Sequence, residues 1–239
     1  MAVRAFIILG CFCVVQAPSP AAAQTLLKET VEDIQRLPSE DTIQWLAIGA
    51  AIATLGHPAD NGITRSLSTS PALEKVFDPG ETLGGARTQL AGALGTYAIG
   101  RITGSRMATA VGTDLLQAQL LAQALTAAVK VSAKRTRPDG TQYSFPSGHA
   151  SVTFASATVL QRDFGWKVGA PAYGVATYVA LSRIQEKRHF FSDIAFGAAI
   201  GIVAGRTVTI GHGDRKFAVQ PTATAGGAGV SFTWLGQGR

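Results

Sequence analysis

Cysteine is nearly absent from this 239-residue chain: Cys11 and Cys13 are the only two, and both lie close to the N-terminus. That end carries one positive charge at Arg4, an apolar stretch from Ala5 to Val15, and Ala21, Ala22 and Ala23 before Gln24. This is the pattern of a cleaved secretory signal peptide over residues 1–23, with an apolar core too short to cross a bilayer comfortably. Once it is removed no cysteine is left, which excludes a disulfide framework, a thiolate nucleophile and a Cys-ligated metal. Charge is also scarce, at 15% of residues against 46% hydrophobic, and the 27 glycines follow no G-x-y period. Collagen-like, low-complexity and tail-like proteins are thereby excluded. Long hydrophobic runs are missing too. The uncharged stretches 42–56, 115–129 and 168–182 are interrupted by residues such as Gln44, Thr54, Gln117, Gln119 and Thr177, and none offers the roughly twenty apolar positions of a span. An integral bundle is disfavoured, although Gly- and Ala-rich helices leave peripheral membrane contact open. There is no H-E-x-x-H, no carboxylate cluster at ligand spacing and no P-loop, so neither a resident metal nor another cofactor is expected.

What is present reads as helix. Residues 26–210 alternate apolar helical segments with short breaks, and helices are expected near 25–36, 41–55, 81–102, 106–135, 147–161, 167–184 and 189–210. His57 to Asn61 and Asp78-Pro79-Gly80 are expected to be irregular connections. In the tail, Phe217, Val219, Val230, Phe232 and Trp234 alternate on either side of Gly226-Gly227-Ala228-Gly229, which suggests a β-hairpin. The expected architecture is all-α, a bundle of about six to seven core helices with a short C-terminal hairpin. Its parts are the signal peptide 1–23, a helical domain 24–212 and a tail 213–239. A periplasmic destination, with or without membrane attachment, follows from the signal; oligomeric state is not legible.

The formal net charge is +6, with one dense basic group between Lys130 and Arg137. A nucleic-acid binder would spread basic residues in a stripe among aromatics, whereas one tight cluster suits a compact anion. Lys130 and Arg137 are seven apart, nearly one helix face, and Pro138 biases Arg137 away from helical geometry, placing the cluster at a helix end. Lys134 and Arg135 read as rim charges that attract the anion without binding it. Pro146-Ser147-Gly148-His149 precedes a helical run: Ser147 can cap it, Gly148 admits a ligand to the backbone, and the first-turn N–H groups form an anion site. His149 lies one turn from that site and can protonate a leaving oxygen. In Ser182-Arg183…His189…Asp193 the last two are spaced i, i+4, so on a helix a carboxylate can hold one imidazole nitrogen while the other faces substrate. His57 and His212 read as loop residues without a role.

The order and spacing of these segments, Lys130-x6-Arg137-Pro138, Pro146-Ser147-Gly148-His149 and Ser182-Arg183-x5-His189-x3-Asp193, resemble the signature of the type-2 phosphatidic acid phosphatase and vanadium haloperoxidase superfamily, and every signature position is filled. The resemblance implies a phosphatase with His189 as the nucleophile that becomes a phosphohistidine, Asp193 as its orienter and His149 as general acid. It also implies that Lys130, Arg137, Ser147, Gly148 and Arg183 hold the phosphate oxygens. The implied substrate is a phosphate ester or phospholipid, with no nucleic acid partner. The short connection from Pro138 to Pro146 is similar to that of lipid-acting members and leaves little chain for a specificity lid. Two other readings are a vanadate-dependent haloperoxidase and a non-catalytic helical phosphate-binding or scaffold protein.

Overall fold

A computed structural model describes residues 37 and 39–209, together with the backbone of 218–224 and 227–233. The signal peptide expected at 1–23, the helix expected at 25–36, His212 and Trp234 lie outside the described residues. The helices are α1 (Glu40–Gly56), a 3-10 turn (His57–Ala59), α2 (Asp60–Ser68), α3 (Pro71–Phe77), α4 (Pro79–Gly84), α5 (Ala86–Thr103), α6 (Arg106–Ala133), α7 (Gly148–Phe164), α8 (Trp166–Gln185) and α9 (Phe191–Val208). The all-α expectation therefore holds, with two corrections. His57 to Asn61 and Asp78-Pro79-Gly80 are helical rather than irregular, because Pro58, Pro71 and Pro79 occupy first-turn positions. Proline there lacks only an N–H that the helix could not use, so it starts a helix instead of breaking one.

In the tail, β1 (Ala218–Thr224) pairs antiparallel with β2 (Gly227–Thr233), Val219 opposite Phe232. Gly227, Ala228 and Gly229 belong to β2 itself.

The centre of the bundle is α9, which packs on α1, α6 and α7. Its Gly197, Gly201 and Gly205 recur every four residues and face α7. A Cβ at Gly201 would stand 2.2 Å from the Ser151 carbonyl, and one at Gly205 2.6 Å from the Thr158 side chain. Any larger side chain in this stripe would push the two helices apart. Ala93, Leu115, Ala118, Leu121, Ala155, Val159, Ile200 and Ala204 fill the space between α5, α6, α7 and α9, and a second cluster of Ala150, Ala180, Ile184 and Ile194 joins α7, α8 and α9. Small residues here substitute closeness of backbones for bulk of side chains, and the dispersion contacts of the core depend on that closeness. Among the described residues one helix, Phe191–Val208, is long and apolar enough to cross a membrane, and 67% of it is buried inside the bundle.

Candidate active site

All eight residues singled out in the sequence lie at one end of the bundle, where α6 and α8 end and α7 and α9 begin. Local chemistry sets each of these ends. Helix α6 stops at Ala133 because Lys134 takes a left-handed conformation, φ 46°, and its N–H closes onto the Lys130 carbonyl at 3.1 Å. Arg137 thus lies beyond the helix, not on one face with Lys130 as the spacing suggested. It is held in a tight loop, its N–H donating to Thr141 O at 2.7 Å and its carbonyl accepting from Gly140 N–H at 3.0 Å. That loop is tied to the segment before α9 by Asp139 N–H to Lys187 O, 3.1 Å, and Arg188 to Asp139, 2.9 Å.

Ser147 is the N-cap of α7, its Oγ accepting from Ala150 N–H at 3.4 Å. Gly148 and His149 belong to the first turn, whose N–H groups have no intrahelical acceptor. A Cβ on Gly148 would meet only the Thr126 methyl at 3.9 Å, so packing does not demand glycine there. His189 also departs from expectation: α9 starts at Phe191, so His189 precedes the helix and Asp193 sits in its first turn. The His189 N–H donates to the Arg183 carbonyl at 3.1 Å, and its Nδ1 stands 3.7 Å from Asp193 Oδ2. That separation is an ion-pair distance, outside hydrogen-bond reach, as unliganded sites often show.

The side chains converge electrostatically. Lys130 Nζ donates to the Tyr143 carbonyl at 2.7 Å, and burial together with the neighbouring Arg137 charge lowers its pKa to about 8. Burial and the Arg188 charge lower Arg137, which also feels Arg183. Arg183 is 1% exposed; one end of its guanidinium is bound by Glu186, while Nε and Nη1 are buried without a protein acceptor. Unpaired buried donors of that kind are costly, and an anion would satisfy them. His149 is lowered to about 4 by burial, then by the charges of Arg183 and His189. Burial also lowers His189, reinforced by Lys130 and Arg137 and only partly opposed by Asp193. For Asp193, burial alone would raise the pKa, but its contacts with His189, Ser144, Phe190 N–H and Arg135 hold it below the usual carboxylate range. The result is two neutral imidazoles and one carboxylate among three cations.

Several participants were not visible in the sequence. Arg135 is no rim charge: Nη1 donates to Asp193 Oδ1 at 2.7 Å and Ser192 Oγ at 2.6 Å, Nη2 donates to Asp60 Oδ2 at 2.8 Å, and its plane lies 4.3 Å over the Phe190 ring. Ser144 donates to Asp193 Oδ2. His57, expected to be an idle loop residue, has Nδ1 3.1 Å from Asp60 Oδ2. Asp60 is 132 residues from Ser192, which it accepts from, and no local pattern announces such a pair; the His57-x-x-Asp60 spacing behind a proline was the one available signal.

The family model of the PAP2 superfamily matches residues 112–217, a stretch that contains every one of the eight residues. That match covers less than half of the chain and spans the whole of the candidate site. The lipid A 1-phosphatase of Porphyromonas gingivalis is 42% identical over 80 residues, 32% of this chain and 18% of that protein. The decaprenylphosphoryl-5-phosphoribose phosphatase of Mycobacterium tuberculosis is 35% identical over 106 residues, 40% of this chain and 58% of that protein. The chain thus spans well under two thirds of these curated relatives. Among solved PAP2 structures, the transmembrane phosphatidylglycerolphosphate phosphatase of Bacillus subtilis superposes with a TM-score of 0.59 at 22% identity, covering 76% of this chain and 94% of that one. Aquifex aeolicus LpxE superposes with a TM-score of 0.55 at 23% identity, covering 63% and 94%. These superpositions establish a PAP2 fold.

Proposed function

We propose that this chain belongs to the PAP2 superfamily and hydrolyses lipid phosphate or pyrophosphate esters through a phosphohistidine on His189. The observation that carries the proposal is the meeting of a buried, neutral His189, backed by Asp193, with His149 and the cations Lys130, Arg137 and Arg183. A phosphoryl group in transfer spreads charge over its equatorial oxygens, and the three cations with the first-turn N–H groups of α7 match that demand.

In the first step His189 Nε2 forms a bond to phosphorus as the bond from phosphorus to the ester oxygen breaks, and His149, protonated in the complex because the bound phosphate dianion offsets the charge of Arg183, gives its proton to that departing oxygen. Asp193 faces Nδ1, fixes the tautomer and stabilises the positive charge that develops on the ring. In the second step water attacks phosphorus, the P–N bond breaks, His149 takes the proton from water, and inorganic phosphate leaves.

Lipid substrates are supported by the names of the relatives and by the surface around the site. Leu55 (81% exposed), Val131 (64%), Tyr143 (47%) and Leu83 (42%) stand on four different elements beside His57, Lys130, the 134–147 loop and the His149-facing Gly84. Exposed apolar side chains next in sequence to a cationic site suit a phosphate presented on an acyl or prenyl chain at a membrane surface, with peripheral membrane contact there.

The test is phosphate release from detergent-dispersed phosphatidic acid, prenyl pyrophosphate and lipid A compared with p-nitrophenyl phosphate, with EDTA present. Lipid phosphates should be turned over with the higher kcat/KM, and His189→Ala should abolish both turnover and the acid-labile phosphoenzyme. Activity lost in chelator and restored by zinc or magnesium would overturn the mechanism; preference for small soluble esters would overturn the substrate class.

A further inference from the structure

The N-cap of helix α9 is Phe190, a residue with no side-chain acceptor to cap the first-turn N–H groups. The caps come from elsewhere. Asp193 Oδ2 turns back to the Phe190 N–H at 2.7 Å, and Asp60, the first residue of α2, supplies Oδ1 to the Ser192 N–H at 2.9 Å. The other oxygen of Asp60 accepts from Ser192 Oγ at 2.6 Å and from Arg135 at 2.8 Å. Arg135 completes the link by donating to Asp193 Oδ1 at 2.7 Å. Asp60 is 2% exposed and Asp193 fully buried, so one guanidinium joins two carboxylates that water cannot stabilise.

We infer that Asp60 and Arg135 are positioning residues that hold Oδ1 of the Asp193 carboxylate, while Oδ2, which accepts from Phe190 N–H and Ser144, is kept on the side facing His189 Nδ1. The inference rests on the reading of His189 as the group that bonds to phosphorus. Only a planar guanidinium can reach both carboxylates at once; an ammonium is a single point of charge on a flexible stem. A carboxylate freed from the clamp can rotate, and the imidazole it orients then spends less time aligned. Such a loss falls on the transition state more than on substrate binding, because phosphate is held by Lys130, Arg137 and Arg183, none of which contacts Asp60.

The experiment compares the full chain with Asp60→Asn, Arg135→Lys and the double variant. It measures kcat and KM with a phosphate ester, orthovanadate binding by calorimetry and thermal melting. Orthovanadate mimics pentavalent phosphorus and, on the proposed role of His189, would bond to the same ring nitrogen, so it reports alignment without turnover. Each single variant should lose about 10- to 100-fold in kcat and in vanadate affinity, with KM changed by less than about twofold. The double variant should lose no more than the worse single, since both break one unit. Arg135→Lys preserves the charge and keeps the test available if Asp60→Asn fails to fold. Folded variants with wild-type kcat and vanadate affinity would overturn the inference. A wild-type protein that binds vanadate but turns over no phosphate would overturn the proposed function alone, with the clamp judged by the vanadate arm. Failure of the wild type to do either would remove both.

Discussion

Gly197 of α9 lies so close to Ser147 that a Cβ on it would stand 2.6 Å from the Ser147 carbonyl oxygen. The same contact region holds the hydrogen bond from Ser147 N–H to Asp193 O, 3.0 Å, which ties the start of α7 to the start of α9. The spacing between the proposed general acid and nucleophile is therefore set by a missing methyl group. Gly197→Ala should destabilise the protein by about 1–3 kcal/mol in denaturant unfolding and reduce kcat as α7 moves away. Gly92→Ala and Gly174→Ala, where a Cβ meets nothing within 4 Å, should be stabilising by about 0.5–1 kcal/mol and leave kcat unchanged.

Gly148 gives the opposite result to Gly197. Because a Cβ there makes only an ordinary contact with Thr126, Gly148→Ala should fold with wild-type stability. The methyl group would instead occupy the space in front of the first-turn N–H groups, where the phosphate oxygens are proposed to sit. Inhibition by inorganic phosphate, read as Ki, should weaken by about tenfold or more, equivalent to losing one charge-assisted hydrogen bond of about 1.5 kcal/mol. An unchanged Ki in the folded variant would place the anion elsewhere.

His149 titrates at about 4 in the unliganded protein, because it is buried and faces Arg183 and His189. A bound phosphate dianion offsets those charges and raises its pKa in the complex. The falling limb of kcat should therefore lie at distinctly higher pH than that of kcat/KM, once the substrate's own ionisation is corrected for. The sign for stability is also fixed. The unfolded chain protonates this histidine near 6.5 and the folded one near 4, so acidification through that window draws the protein toward unfolding, and His149→Gln should flatten that part of the stability profile.

Lys130, lowered to about 8 by burial and by Arg137, loses its charge within the experimental range. KM should rise as pH passes from about 7 to 9 while kcat changes less. Lys130→Arg, charged throughout, should abolish that rise even if its KM at neutral pH is poorer.

The helical segments were legible because α-helix periodicity is local: 41–55, 106–135, 147–161 and 167–184 match α1, α6, α7 and α8 to within a few residues. The short helices α2, α3 and α4 were not, since six to nine residues carry too little periodicity and their prolines read equally well as breaks or starts. In the same way, Lys130, Arg137, His149, Arg183, His189 and Asp193 were found because sequence spacing and residue chemistry suffice to nominate them.

What the sequence by itself determined is the all-α architecture, since helix propensity and capping act over a few positions; the eight site residues it nominated through motif spacing and a family resemblance, as candidates. Tertiary structure alone decided that His189 sits before a helix start, and that Arg135 faces inward to bind Asp193 and Asp60, 58 and 75 residues away. The physical reason is that a buried ion pair forms only where packing has excluded water and fixed the distance. Here that packing comes from helices brought together by glycines whose neighbours no local pattern reveals.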